Sequence, residues 1–222
     1  FRASANYEDL PGFIDAYGLM KLDGNGAPIL ADPSDPVDSP AVYTSKKDWN
    51  EQKTFTGRAS LLWQPTDTFN AQLAYMYSDL EGMSGRTTTS QFPGGPFAGD
   101  PRIIFPAGGG YRRFAGADEP YDRKTVPASL DLSSDAGFAT LSSTTSYFTT
   151  EGQTQSETSY TLYRLPQYIG YYTGTTLSPR FILPQLYGVR AHNFSQEVRL
   201  VSNSHPDNKL YYVVGLFYQK QT

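Results

Sequence analysis

The chain contains 222 residues, of which 38% are hydrophobic and 14% aromatic, and its formal net charge is −4. It has no run of about 18 apolar residues, which excludes a helical membrane protein, and no cysteine, which excludes disulfides, thiolate nucleophiles and cysteine metal sites. The negative net charge gives no basic surface, so no nucleic-acid partner is expected.

The amino-terminal residues already alternate between apolar and polar side chains, as in the middle of a strand. They form the first predicted strand, near 1–8. Because no starting Met or charged-then-apolar leader precedes this strand, we expect the chain to begin inside a longer protein. A polar segment over 9–52 follows, and we expect it to be a long loop.

The clearest hairpin joins predicted strands at 53–64 and 69–79 through a short turn. Period-two alternation places apolar residues on one face of both strands and polar residues, Arg58 among them, on the other face. An aromatic residue lies at each end of both apolar stripes, as in the two interfacial girdles of a membrane barrel. The predicted girdle residues of this hairpin are Trp63 and Phe69 beside the turn, and Phe55 and Tyr77 at the far ends.

Two further hairpins repeat this pattern. The second is predicted at 124–133 and 138–149, and the third at 194–203 and 209–220. Pro127 lacks the amide that a central ladder needs, so we expect pairing to begin after it or to carry a bulge there. The predicted girdle residues of these hairpins are Tyr212 on the short-turn side, and Tyr147, Phe194 and Tyr218 on the other side.

Four charged side chains fall on the polar faces of these strands. An Arg that faces lipid at the bilayer midplane costs roughly 2–4 kcal/mol. We therefore predict that these side chains face a wet lumen, where they contact a plug domain, pair with neighbouring strands or face water. The predicted lumen residues are Arg58, Asp131, Glu197 and Arg199.

The connections between the predicted strands fall into two lengths. Short turns close each hairpin, whereas the predicted loops 9–52, 81–121 and 151–193 are far longer than the usual connection of about 2–6 residues. An outer-membrane barrel has this alternation, with short periplasmic turns and long external loops. A soluble antiparallel sandwich, such as a carbohydrate-binding or adhesin domain, also has alternating strands. Its fold does not require connections that alternate between short turns and long loops. The sequence therefore predicts an all-β, transmembrane antiparallel β-barrel.

Four segments carry a resemblance to a known family. They have the sequences RASLLWQPTD at 58–67, ATLSSTTSY at 139–147, FSQEVRLVS at 194–202 and YVVGLFY at 212–218. In this order and at these separations they resemble the barrel of a TonB-dependent outer-membrane receptor of the iron-complex type.

This resemblance implies a bacterial outer-membrane barrel of about 22 strands, filled by its own amino-terminal plug domain and driven by the inner-membrane TonB energy-coupling complex. Such receptors take up scarce ligands: a ferric siderophore or similar complex, cobalamin or a carbohydrate. We expect this chain to hold about seven of the strands, and neither the plug nor the coupling segment. The alternative function is a passive outer-membrane pore or a structural barrel.

The long loops are the outward part of the expected barrel, so we expect ligand binding there. Two loop segments are rich in aromatic and guanidinium groups, which hold an anionic complex or a sugar ring by stacking, hydrogen bonding and charge. The alternative is that these side chains pack the loops together or lie near the lipid head groups. The predicted ligand residues are Tyr111, Arg112, Arg113, Phe114, Tyr160, Tyr163 and Arg164.

No group of residues has the spacing of a catalytic site. The two histidines, His192 and His205, are predicted on opposite sides of the membrane, so they share neither a metal ion nor a triad. The sequence therefore predicts no enzyme activity, no metal site and no cofactor.

Overall fold

The computed structural model describes residues 1–83, 111–114, 116–158, 182–203 and 210–222. These residues form ten strands, so the predicted all-β class is confirmed. Within the same ranges, no helix has the length and apolar character that would be needed to span a membrane. The strands are β1 Arg2–Leu10, β2 Asp15–Met20, β3 Tyr43–Lys46, β4 Gln52–Thr66, β5 Phe69–Met83, β6 Arg112–Phe114, β7 Pro120–Asp135, β8 Ala139–Glu157, β9 Pro184–Ser202 and β10 Val213–Gln221.

Seven of these strands form one large sheet in the order β1-β4-β5-β7-β8-β9-β10. Every neighbouring pair in this main sheet is antiparallel, as predicted. The order follows the chain once the three short strands are set aside, because each hairpin places successive strands side by side. Among the described strands, none joins β1 to β10, so the described sheet is open at both edges.

Most strands of the main sheet are longer than the alternating segments that predict them, whereas β10 begins only at Val213, inside the predicted segment 209–220. β8 continues to Glu157 and β9 begins at Pro184, so residues expected in the third loop are strand instead. The same holds on a smaller scale at the ends of β4, β5 and β7. The extension of β8 carries polar side chains on both faces, whereas that of β9 has the apolar residues Leu186, Tyr187 and Val189 divided between its two faces, so neither shows the apolar alternation that marks a strand in a sequence.

Pro127 lies inside β7, and the expectation of a late start or a bulge there is wrong. β7 pairs with β8 without a register shift, and Pro127 lies opposite Phe148. On the other side, β5 pairs with β7 up to Tyr75 and again from Ser78, with the same register before and after the interruption. The missing amide of proline therefore interrupts one ladder locally and leaves the strand continuous.

The remaining three strands form a small sheet in the order β3-β2-β6, called here the accessory sheet. β2 pairs antiparallel with β3 and parallel with β6. Ala16, Leu19 and Trp49 form its buried core, and Met83 at the end of β5 packs against them. Segments predicted as loops thus contain a second folded layer, held at the end of the main sheet away from the short turns.

The continuous register of the main sheet determines which side chains share a face. Leu61, Leu73 and Leu130 are direct cross-strand neighbours, and their side chains remain 38–50% exposed. The apolar face contains Ala59, Leu61, Trp63, Leu73, Tyr75, Leu130, Leu132, Leu141, Tyr147, Phe194, Val198, Leu200, Val214 and Leu216. The opposite, polar face contains Arg58, Ser60, Asn70, Gln72, Ser129, Asp131, Ser133, Ser142, Thr144, Ser195, Glu197 and Arg199, and its apolar exceptions include Leu62, Met76, Leu80, Phe148, Val201, Val213 and Phe217.

Candidate functional site

An aromatic and guanidinium cluster lies on the accessory sheet where β6 runs parallel to β2. The guanidinium carbon of Arg112 lies 5.2 Å from the ring centroid of Tyr17. Beside this pair, the rings of Phe13 and Tyr111 meet edge to face with their centroids 5.6 Å apart. Phe13 and Tyr111 are 60% and 68% exposed, and Arg112 is exposed as well, so the cluster is open to a ligand from solution.

Arg113, the next residue of β6, is not part of this exposed cluster. Its Nη2 atom lies 2.5 Å from Glu119 Oε2, and both side chains are buried. The guanidinium carbon is also 5.5 Å from the ring centroid of Trp49. Since a buried ion pair of this kind is costly to break, Arg113 holds the accessory sheet together and is not placed to contact a ligand.

Two buried glutamates extend this ion pair to the main sheet. Glu119 Oε1 accepts a hydrogen bond from the Glu157 backbone N–H at 2.8 Å, and Glu157 Oε2 accepts one from the Gly116 N–H at 3.2 Å. Glu119 immediately precedes β7 and Glu157 ends β8, so these contacts fix the segment before β7 to the end of the main sheet. The exposed cluster therefore rests on a rigid support.

Further contacts position β2. Asn50 Oδ1 accepts hydrogen bonds from the backbone N–H groups of Phe13 and Ile14 at 2.8 and 2.7 Å. Trp49, which is fully buried, donates from Nε1 to Asp118 Oδ1 at 2.8 Å. These contacts hold the exposed Phe13 close to Tyr111.

Several of these residues were not predicted from the sequence. Phe13 and Tyr17 belong to the exposed cluster, while Trp49, Glu119 and Glu157 support it. In the structure Phe13, Asp15 and Tyr17 are more exposed than the buried Ile14 and Ala16 between them, but this alternation is too short to predict a strand from the sequence. Of the predicted ligand residues, Phe114 ends β6, and Tyr160, Tyr163 and Arg164 lie outside the described residues.

The four predicted lumen residues all lie on the polar face. Arg199 forms an ion pair with Glu197 on the same strand. Asp131 Oδ1 accepts a hydrogen bond from Thr144 Oγ1 at 2.9 Å, and Asp131 Oδ2 accepts one from Ser129 Oγ at 3.3 Å. Pairing within the sheet is thus observed for three of them, and contact with a plug domain stays a prediction.

The apolar face has an aromatic band near each end. Trp63 and Phe69 lie beside the β4–β5 turn with ring centroids 5.8 Å apart. At the other end, the ring centroids of Phe55 and Tyr77 are 6.3 Å apart, those of Phe194 and Tyr218 are 6.4 Å apart, and Tyr147 lies opposite Phe194. Tyr212 precedes β10, and its N–H donates to Ser202 Oγ at 2.9 Å.

Polar residues on the apolar face bind one another. Gln196 Nε2 donates to Ser143 Oγ at 2.9 Å, and Thr145 Oγ1 donates to Gln196 Oε1 at 2.6 Å. The three side chains belong to adjacent strands, β8 and β9. Such mutual hydrogen bonds lower the cost of placing polar groups on an otherwise apolar surface.

Other polar groups of the described chain form local turns and no metal site. Within the described ranges, no group of three or more His, Asp or Glu side chains is placed to hold a metal ion. In the segment before β3, hydrogen bonds from the side chain and backbone of Ser34 hold the pKa of Asp32 below its ordinary value. This carboxylate orders a turn, because its negative charge is matched by two local donors.

Comparison with family models, with curated proteins and with solved structures finds no match to this chain. Its function is therefore inferred from its own residues and their arrangement.

Proposed function

We propose that this chain forms part of the wall of a bacterial outer-membrane receptor that takes up a scarce ligand. In this proposal the apolar face contacts lipid, the polar face lines the lumen, and further strands extend the edges at β1 and β10 into a closed barrel. The resemblance to TonB-dependent receptors supports an energy-coupled mechanism with a plug domain and an inner-membrane TonB complex as partners. A ferric siderophore or similar anionic complex is the favoured ligand, and a carbohydrate is the alternative.

The observation that carries the proposal is the sorting of side chains between the two faces of the main sheet. Phe55 and Trp63 bound the apolar stripe of β4 and are eight residues apart, about 26 Å along a strand. Because barrel strands tilt by about 35–45°, a strand needs about 9–11 residues to cross the apolar band of about 25 Å, and the stripe from Phe55 to Trp63 lies at the lower end of this range. Water is an unfavourable neighbour for so many exposed leucine, valine and aromatic side chains, whereas lipid is a favourable one.

The position of the exposed cluster supports ligand binding at the outer end of the barrel. Phe13, Tyr17, Tyr111 and Arg112 lie beyond the end of the sheet opposite the short turns, which are periplasmic in outer-membrane barrels. A catecholate complex of iron offers both planar rings and negative charge. Aromatic faces and one free guanidinium complement these two properties.

Site-directed labelling tests the membrane part of the proposal. Because the chain has no cysteine, Leu73→Cys and Gln72→Cys each give a single labelling site, on adjacent residues of β5 that face opposite sides. In lipid vesicles, a spin label at position 73 is expected to be accessible to oxygen and shielded from a water-soluble nickel chelate. The label at position 72 is expected to show the reverse. Equal exposure of both labels to the chelate would sink the proposal.

The proposed receptor function is tested by measuring how much of a radioactive iron tris-catecholate complex is taken up by cells that produce the protein. Arg112→Ala is expected to weaken binding of the complex about two- to fivefold, because the cation stacked over Tyr17 is lost. Lys47→Ala, on an exposed turn next to β3, is the control and is expected to bind like the wild type. Removal of inner-membrane energy coupling is expected to stop uptake and leave surface binding. Uptake that continues without energy coupling would favour the passive pore.

A further inference from the structure

Met83 links the main sheet to the accessory sheet. It is the last residue of β5, its backbone N–H donates to the Glu51 carbonyl at 3.1 Å, and it lies opposite Pro120 of β7. Its side chain packs against the buried core of the accessory sheet, which consists of Ala16, Leu19 and Trp49. A side chain that belongs to the main sheet therefore contributes to the core of the accessory sheet.

The side chain of Met83 can also be reached from solution. Met83 is half-buried and lines an open depression of about 360 Å³. The chain has two other methionines. Met20 on β2 is buried, with 8% of its surface exposed, whereas Met76 is half-buried but lies opposite Arg58 on the polar face of the main sheet. Met83 thus combines access from solution with a contact to buried apolar side chains.

Most of the depression is lined by charged side chains. Its lining includes Glu51, Lys53, Glu81 and Asp122. Charged groups remain hydrated, so a small water-soluble molecule can reach Met83 through the depression. Hydrogen peroxide is such a molecule, because it is little larger than water and, being uncharged, is not repelled by the three carboxylates.

We propose that Met83 is a site of oxidation by hydrogen peroxide, and that its oxidation loosens the accessory sheet. The sulfur lone pair attacks one peroxide oxygen, the O–O bond breaks, and the other oxygen leaves as water. The thioether is oxidised by two electrons to a sulfoxide, and the peroxide is reduced. A methionine sulfoxide reductase reverses the change with thiols, which become a disulfide while the sulfoxide oxygen leaves as water.

A sulfoxide at position 83 opposes the packing that the thioether allows. It is polar, and burial of a polar group among apolar side chains such as Leu19 and Trp49 is unfavourable. Because β2 carries both Leu19 and Tyr17, oxidation of Met83 is expected to loosen part of the exposed cluster as well. This inference is independent of the proposed function, since it uses only the contact between the two sheets.

Peroxide treatment of the detergent-solubilised chain, followed by mass spectrometry and hydrogen exchange, tests the proposal. Met83 is expected to oxidise at least about fivefold faster than Met20, because the rate of oxidation follows exposure of the sulfur. The Met20 backbone N–H, which donates to the Gly116 carbonyl at 2.8 Å, reports on β2. Its exchange is expected to rise about tenfold once Met83 is oxidised.

Three variants separate oxidation at Met83 from other effects of peroxide. Met83→Leu keeps the side-chain volume without the sulfur, so exchange of its β2 amides is expected to stay at the untreated rate. Met76→Leu is the matched control and is expected to respond to peroxide like the wild type, because Met83 is still present. Met83→Gln has the polarity of the sulfoxide and is expected to raise β2 exchange about tenfold without peroxide.

Three results would overturn the inference. The first is equal rates of oxidation at Met83 and Met20. The second is unchanged exchange of the β2 amides when Met83 is completely oxidised. The third is an equal rise of exchange in the wild type and in peroxide-treated Met83→Leu, which would show that peroxide acts elsewhere in the chain.

Discussion

Arg112 and Arg113 carry the same charge and are adjacent in β6, yet they have different environments. Successive side chains of a strand point to opposite faces. Arg112 consequently lies over Tyr17 at the exposed cluster, while Arg113 is buried beside Trp49 and Glu119. One of these arginines is available to a ligand, and the other maintains the platform on which the cluster stands.

Replacement of Arg113 by Ala leaves the buried Glu119 carboxylate without its cation. We expect this change to destabilise the accessory sheet by about 3–5 kcal/mol. Arg112→Ala is the matched control, and we expect it to alter stability by less than about 0.5 kcal/mol because Arg112 is exposed. Hydrogen exchange of the β2 amides measures both effects. Unchanged protection of β2 in Arg113→Ala would show that the ion pair does not hold the sheet.

The exposed cluster was only partly predictable from the sequence. Residue type alone singles out Tyr111 and Arg112, because aromatic and guanidinium groups can hold a ligand by stacking and charge. Phe13 and Tyr17 were missed, since β2 is six residues long and is too short to give a clear period-two signal. Its partner β6 lies far away in the sequence, and only tertiary packing brings the two strands together.

At the scale of the strand, the sequence predicted the amphipathic part of each element and missed the remainder. β4 and β5 were recognised where leucine and aromatic residues alternate with polar ones. β8 extends beyond its apolar stripe over 151–157, where both faces are polar, and β9 begins at Pro184 with apolar residues scattered on both faces rather than in an apolar stripe. Backbone pairing with neighbouring strands keeps these extensions in the sheet, and that pairing is not visible in a hydropathy pattern.

The turn between β7 and β8 depends on Gly137, whose φ angle is +85°. An L-residue in this left-handed region costs about 1–2 kcal/mol, so we expect Gly137→Ala to destabilise the hairpin by that amount. Gly188→Ala on β9 is the control, because its φ angle is ordinary and nothing lies within 4 Å of the added methyl group. Urea unfolding in detergent micelles compares the two variants. Equal midpoints would contradict a requirement for glycine at this turn.

At the scale of the whole molecule, the two aromatic bands distinguish the two ends of the main sheet, and the apolar and polar residues distinguish its two faces. The band of Trp63 and Phe69 lies beside a short turn, and the band of Phe55 and Tyr77 lies toward the accessory sheet. Between the bands the apolar face is exposed, and beyond the second band the face carries four charged cross-strand neighbours, Asp79, Lys124, Glu151 and Arg190. This order of layers is the one that the proposed membrane wall requires, with the short turns at its periplasmic rim.

A phase-partition measurement that depends on the apolar face distinguishes a membrane wall from a soluble sandwich. In the membrane case, the exposed row of Leu61, Leu73 and Leu130 drives the 222-residue chain into the detergent-rich phase of a detergent–water mixture. Replacement of all three by Gln is expected to shift the protein toward the aqueous phase, because the exposed part of each leucine, 38–50% of it, loses roughly 1 kcal/mol of favourable transfer out of water. In a sandwich these leucines would lie in the core, so the wild type would stay in the aqueous phase as a folded monomer and the triple variant would unfold. Circular dichroism of each phase separates the two outcomes, and a folded, aqueous wild type would refute the membrane assignment.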